Sequence, residues 1–319
     1  MSNFFQNSTV RKIKRRINRA LGLATFDTRG FEENAGEISV SREARQAAEC
    51  IRGDCREAAI FIHGVMPRSG TVYTGEILRL HPQIHAYPND LWEVPFLELT
   101  GDILDMQQHF FRAYPQNRDR MGEHDFLPLF GSTFMAYLQS FTPKGKRMLV
   151  KTPDAQYLDY FHSIFPKEHL LLLMRDGRDV VSSTLRTWPG MDFSMVSRKW
   201  AMSARNMLRM AEARSGSTGF LIYKFERVVE DPDSFVEKSC AAFGLEPGKF
   251  PFDEIRKLAV RGSSEIRKKG TVTWDPAEKP KDFNPVGRWQ GWSRRQKEQF
   301  KRVAGEMLIE AGYCDDLSW

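Results

Sequence analysis

Apolar positions along the chain gather into short unbroken runs separated by longer amphipathic or polar stretches. Ala58-Ala59-Ile60-Phe61-Ile62-His63-Gly64-Val65 is such a run and predicts a buried strand; a Pro/Gly loop follows, then a helix over 71–80. The runs at 147–150 and 170–174 predict two further buried parallel strands, the second leading directly into a helix over 176–187. A helix over 193–214, a strand over 220–223 and a helix over 232–243 come next. The last helix spans 293–311, with Ser293 as its N-cap and Gly312 as its stop. The lead-in holds one predicted helix around 41–51. Strands that alternate with helices imply an α/β fold, doubly wound, with a mainly parallel sheet flanked by helices. Segments 100–130 and 262–292, rich in Gly, Pro and charge, read as long loops or small subdomains able to cover a site.

Composition narrows the class. At 319 residues and 41% apolar content the chain can bury a real core, which excludes a mainly disordered protein. No run approaches the roughly 18 apolar residues of a membrane span, and MSNFFQNSTVRKIKRR has no apolar core of a secretory signal, so a cytoplasmic location is expected. Cys50, Cys55, Cys240 and Cys314 are too scattered for a disulfide framework. His81 and His85 flank Pro82, so they do not share a helix face, and no structural metal is expected.

The net charge of +6 has a local origin. Arg11, Lys12, Lys14, Arg15, Arg16 and Arg19 lie in the first 22 residues with no acidic residue among them, which leaves 41 basic and 41 acidic residues over 23–319. The charge therefore marks no nucleic-acid surface on the folded part. Ile13, Ile17 and Leu21 recur at helical spacing, so this segment reads either as a basic amphipathic helix that makes peripheral membrane contact through 11–22 or as a solvated extension. The organisation expected is a basic extension and lead-in over 1–56 and one domain over 57–319.

Gly64-Val65-Met66-Pro67-Arg68-Ser69-Gly70-Thr71 falls between a strand end and a helix start, where backbone N–H groups and the helix dipole converge on an anion. A Walker loop would carry Gly-Lys where Ser69-Gly70 stand, so the nearest cation is Arg68 and a magnesium-dependent phosphotransferase lacks its lysine. Arg68 offers a planar fork of donors, Gly70 permits close backbone approach, and Ser69, Thr71 and Tyr73 add hydroxyls. A second strand-to-helix junction puts Arg175 at a strand end and Ser183 two helical turns on, on the face of Asp176 and Asp179. That pair reads as a phosphate grip, or as a helix start in which the two aspartates pair locally with Arg175 and Arg178.

Pro67-Arg68-Ser69-Gly70-Thr71 together with Arg175-Asp176-Gly177-Arg178-Asp179-Val180-Val181-Ser182-Ser183 resembles the paired signatures of sulfotransferases that use 3′-phosphoadenosine 5′-phosphosulfate (PAPS). Val150-Lys151-Thr152-Pro153, Tyr223 through Asp231-Pro232, and Gly287-Arg288-Trp289 ahead of Gly312-Tyr313 agree in order, so the resemblance spans 58–313. It is nearer the bacterial, carbohydrate and tyrosylprotein branch than the cytosolic small-molecule branch, which has a Lys in the first loop. The resemblance implies a P-loop NTPase-like sulfotransferase fold and PAPS as co-substrate without a metal. By the same token, residues 67–73, including Val72 and Tyr73, grip the 5′-phosphosulfate and Arg175 with Ser183 the 3′-phosphate. Tyr223 lies beside the adenine, Arg288 belongs to the nucleotide site, and Arg68 and Lys151 surround the transferring group. Val72-Tyr73 departs from the family, which has a second Thr or small residue after Gly-Thr.

Sulfonyl transfer to a hydroxyl also needs a proton acceptor. The resemblance puts a carboxylate shortly after His81-Pro82; Asp90 is the first candidate, Glu93 the second and His85 a third, because an imidazole suits general-base work. Trp92, Phe96, Phe110 and Phe111 either line an acceptor pocket or belong to the core. The expected acceptor is a hydroxyl of a glycan or other biomolecule. The alternatives are the phosphotransferase and a non-catalytic adaptor held at membranes or nucleic acid by residues 11–19.

Overall fold

The computed structural model of the chain describes residues 28–31, 37–53, 57–268 and 271–319. The basic segment 1–22 and Cys55 lie outside these residues. Strand β1 (Ile60–Gly64) leads into helix α2 (Thr71–Leu78), preceded by α1 (Arg42–Arg52). Beyond α2 come β2 (Ile84–Ala86), α3 (Thr100–Ala113), α4 (Phe126–Gln139), β3 (Arg147–Thr152), α5 (Phe161–Ile164) and β4 (His169–Met174). The chain continues through α6 (Gly177–Thr187), α7 (Phe193–Ala213), β5 (Phe220–Lys224), α8 (Phe225–Glu230) and α9 (Pro232–Phe243). A short antiparallel pair, β6 (Arg267–Lys268) and β7 (Thr271–Val272), precedes α10 (Arg294–Glu310).

Five strands form one sheet in the order β2-β3-β1-β4-β5, every pairing parallel. The apolar runs are unbroken because both faces are covered, and side-chain alternation divides them between two cores. Phe61, Val150, Leu170 and Leu172 pack on one face with Trp200 of α7 and Phe300 of α10. Ile60, Ile62, Leu171 and Leu173 pack on the other with Ile77 of α2 and Phe235 of α9. Ser293 caps α10 with a reciprocal bond to Gln296, which is why that helix starts where the sequence predicts.

β1 lies between β3 and β4, so the connections leaving it diverge, and the crevice at the carboxyl ends of these three strands is the ligand position of an open parallel sheet. Arg68 follows β1, Lys151 is in β3, and Arg175 follows β4. Two expectations change. Of the two readings of segment 100–130 the long loop falls away: it contains α3 and the first turn of α4, whose inner residues Leu127, Gly131 and Met135 are buried. β2 is also additional, an edge strand of three residues, too short for a periodic signal.

Candidate active site

The β1–α2 loop is held by its own serine. Ser69, fully buried, accepts from the Met66 amide at 3.0 Å and donates back to the Met66 carbonyl. Its hydroxyl therefore fixes the loop and does not reach the cavity wall, contrary to the expectation that it contacts a ligand. Arg68 (φ 79°) and Gly70 (φ 94°) both take left-handed backbone. Gly70 is required twice over, because a Cβ there would lie 2.2 Å from the Phe225 ring. Gly70→Ala is expected to destabilise the fold by about 1–3 kcal/mol, read by thermal denaturation; an unchanged melting temperature would show that the loop yields.

Three guanidiniums converge on one cavity of about 510 Å³, which Pro67, Arg68, Gly70, Thr71, Val72, Tyr73, Arg175, Ser183 and Arg288 help to line. Arg175 donates to the carbonyls of Arg68 at 2.7 Å and Pro285 at 2.5 Å, and lies 4.6 Å over the Phe225 ring. Arg68 donates to Ser183 Oγ at 3.1 Å and to the Gly262 carbonyl at 2.5 Å, and Ser183 in turn donates to Ser264 Oγ at 3.2 Å. Arg288 donates to Ser264 Oγ at 3.0 Å. Asp179 does not pair locally with an arginine side chain: its carboxylate accepts the amides of Gly287 and Arg288 at 2.8 and 2.6 Å and so tethers the Arg288 segment. Asp176 does pair locally, with Arg178 at 2.7 Å.

Arg288 Nε pairs with the Glu265 carboxylate at 3.2 Å, and the Asp179, Glu226 and Asp176 charges act on Arg175. Burial, then the neighbouring Arg175 and Arg288 charges, push Arg68 down to about 10; burial, then Arg175, do the same to Arg288. Both remain cationic at neutral pH. Arg175 Nε and Arg288 Nη2 are buried with no hydrogen-bond partner among the described residues. Buried donors of this kind call for an anion with several acceptor oxygens.

Val94 N donates to the Lys151 carbonyl at 3.0 Å, and Thr152 Oγ1 to the Val94 carbonyl at 2.6 Å. These bonds seat the 88–95 segment along β3 and bring Glu93 Oε1 within 3.4 Å of Lys151 Nζ. The ammonium also lies 4.5 Å over the Trp92 ring. Burial lowers the Lys151 pKa, and Glu93 partly opposes the shift. Glu93 and Glu76 line the cavity; Lys151 touches it through Glu93. Glu76 accepts from the Tyr87 hydroxyl at 3.2 Å and pairs with Arg79 at 3.4 Å.

Several expected residues lie elsewhere. Asp90 is exposed on the turn Pro88–Asp90 with φ 56°, outside the cavity lining, and His85 of β2 is also outside it. Tyr223 points away: its ring packs 5.2 Å from Phe235 in the second core. Phe225, Val229 and Pro232 line the cavity instead. Phe111 is core, Phe96 stacks on Phe134 at 4.8 Å, and neither Trp92 nor Phe110 reaches the wall, where Trp188, Trp274 and Phe283 stand. Trp274 and Phe283 gave no signal beyond lying in a segment expected to cover a site, and Trp188, just past the predicted helix over 176–187, gave none.

Among the described residues no cluster of three His, Cys, Asp or Glu side chains is arranged to hold a metal ion, and no helix is long and apolar enough to cross a membrane. Residues 59–248 match the profile described as "Sulfotransferase family". "Nodulation protein NoeE" of Sinorhizobium fredii (strain NBRC 101917 / NGR234) is 26% identical over 290 residues, covering 81% of this chain and 66% of that protein. The chain thus spans just under two thirds of the length of that relative. "Protein-tyrosine sulfotransferase 1" of Danio rerio is 24% identical over 267 residues, covering 80% of this chain and 72% of that protein. Among solved structures, the sulfotransferase domain of the Synechococcus PCC 7002 olefin synthase superposes with a TM-score of 0.48 at 19% identity, over 80% of this chain and 96% of that one.

Proposed function

The chain belongs to the sulfotransferase family, a family of enzymes, and on that premise we propose that it transfers a sulfonyl group from PAPS to an acceptor hydroxyl. The observation that carries the donor assignment is the convergence of Arg68, Arg175 and Arg288, two of them with an unpartnered buried N–H, at the carboxyl end of the sheet. Arg175, Ser183 and Arg288 bind the phosphate groups of the nucleotide, and Pro67, Arg68, Gly70, Thr71, Val72 and Tyr73 shape the wall around the phosphosulfate. Phe225, with Val229 and Pro232, supplies an apolar surface for the base in place of Tyr223.

Bound PAPS supplies the sulfonyl group, and the chain supplies orientation, charge and a base. Glu93 accepts the acceptor hydroxyl proton as the new O–S bond forms and the S–O bond to the leaving phosphate breaks, yielding a sulfate ester and 3′-phosphoadenosine 5′-phosphate. Arg68 meets the charge that builds on the leaving oxygen. Lys151, paired with Glu93 at 3.4 Å, holds that carboxylate in place. Glu93 displaces Asp90 as the base because it alone of the two lines the cavity. Glu76 and Glu93 on one wall suit an acceptor with several hydroxyls, which favours a glycan.

The decisive experiment pairs thermal stabilisation by 3′-phosphoadenosine 5′-phosphate in the presence of a chelator with transfer of radiolabel from PAPS to glycans, tyrosine peptides and phenols. Stabilisation by magnesium-ATP alone, or no transfer to any class, would remove the reading. The pH profile offers another check. The Lys151 ammonium has its pKa lowered from 10.5, so kcat/KM is expected to fall on the alkaline side at a lower pH than an ordinary lysine would set. Lys151→Arg should move that limb upward; a limb that stays in place assigns it to another group.

A further inference from the structure

We propose that Trp319 is a positioning residue for nucleotide binding: together with Arg178 and Trp289 it forms a stack that holds the Arg288 guanidinium at the cavity, an inference that rests on the reading of that cavity as the donor site. Arg288 reaches the cavity from a turn, not from a strand end. Gly287 takes left-handed backbone (φ 81°) and leads into the single 3-10 turn Arg288–Gly291, so that Arg288 lines the cavity and Trp289, the next residue, does not. A side chain on such a turn is placed only as accurately as the turn is held. On the cavity side Arg288 meets Ser264 Oγ at 3.0 Å, the Glu265 carboxylate at 3.2 Å and the Asn284 carbonyl at 3.3 Å, all in the covering segment. The firmer hold comes from behind.

Two consecutive residues at the start of α6 grip the turn. Asp179 takes the amides of Gly287 and Arg288, and the Arg178 guanidinium lies 4.0 Å over the ring of Trp289. The same guanidinium lies 4.6 Å over the ring of Trp319, and the two indoles meet edge to face at 5.0 Å. Arg178 is itself fixed: Nε and Nη2 donate to the Asp176 carboxylate at 2.7 to 3.1 Å, and Nη2 donates to the Tyr313 carbonyl at 3.2 Å. Trp319 is braced on α10, with its ring 6.2 Å from Phe300 and Lys301 Nζ 5.1 Å over it. Arg178 is 6% exposed, and a cation held against rings in such a desolvated position is attracted more strongly than one at the surface. Trp319 thus closes the stack and ties Trp289 to α10, although neither Arg178, Trp289 nor Trp319 lines the cavity. Opening the stack removes one of the two grips of α6 on this turn, so the expected cost falls on phosphate binding by Arg288.

The test is a double-mutant cycle on the full chain, read by calorimetric titration with 3′-phosphoadenosine 5′-phosphate. Trp319→Ala should weaken binding by about fivefold or more. Trp319→Phe, which keeps a ring against Arg178, should stay within about twofold of wild type. Trp319→Leu keeps apolar volume against Phe300 but offers no ring to Arg178; it should match Trp319→Ala and carries the test where the alanine variant does not fold. In an Arg288→Ala background the Trp319 substitutions should cost no more than about 1.5-fold, because their effect passes through a side chain already removed. Two results overturn the proposal while the donor site stands: Trp319→Ala and Trp319→Leu that bind like wild type, and losses of equal factor with and without Arg288, which assign Trp319 to the stability of the fold at large. A wild-type chain that does not bind the nucleotide at all removes the donor reading and the role of Trp319 with it.

Discussion

Arg175→Ala is expected to weaken binding of 3′-phosphoadenosine 5′-phosphate by about 100-fold or more in calorimetric titration, the largest loss of any single substitution in the donor site. The guanidinium leaves the end of β4 and is fixed by the carbonyls of Arg68 and Pro285, with Nε unpartnered. Charge-assisted hydrogen bonds contribute about 1.5–3 kcal/mol each, so losing one together with the buried charge that orients the site amounts to two or more decades of affinity. Part of the loss would pass through the structure, because the same side chain joins the β1–α2 loop to the covering segment at Pro285. Ser183→Ala isolates the local term: it removes the hydroxyl between Arg68 and Ser264 and should cost about tenfold without lowering the melting temperature. If Arg175→Ala folds and binds the nucleotide like wild type, the donor site lies elsewhere.

Glu93→Gln is expected to lower kcat by about 10²–10⁴ while nucleotide affinity stays unchanged, since the amide cannot take the acceptor proton. Asp90→Asn is expected to leave kcat within about twofold, because that side chain is exposed on its turn and outside the cavity lining. A second readout separates a lost base from a merely disturbed wall. Glu93 raises the Lys151 pKa against the larger effect of burial, so removing its charge lets the ammonium pKa fall further. The alkaline limb of the residual activity should then move to lower pH. Full activity in Glu93→Gln would pass the role of base to another group.

The convergence of Arg68 and Arg175 on one cavity is legible in the sequence because each of its anchors sits at a junction with a local signature. Arg68 and Gly70 follow a buried strand and open a helix; Arg175 ends another strand, and Ser183 lies two turns into the helix that follows. Which carboxylate reaches the cavity is not legible, and Asp90 against Glu93 shows why. Counting residues from a motif assumes a regular path, yet Tyr87, Asn89 and Asp90 all take left-handed backbone and turn the chain before it meets β3. Tyr223 fails for a related reason. Its register partner is Leu173, both contribute to the second core, and the ring follows the alternation of the strand, whereas Phe225 begins α8 and is free of it. Segment 100–130 conceals α3 and α4 because the outer row of α4 is aromatic rather than polar, so the usual amphipathic contrast is weak.

By itself the sequence determined what depends on neighbours along the chain: the buried runs, the Ser293 cap, the two strand-to-helix junctions that carry Arg68 and Arg175, and the confinement of the net charge to the first 22 residues. Only the tertiary structure decided which charges meet. Glu93 and Lys151 are 58 positions apart in sequence and 3.4 Å apart in space, and Arg68 and Arg175, 107 apart in sequence, are joined by a hydrogen bond of 2.7 Å. Coulomb energy and desolvation depend on separation and burial, both set by the parallel sheet that brings the ends of β1, β3 and β4 into one crevice.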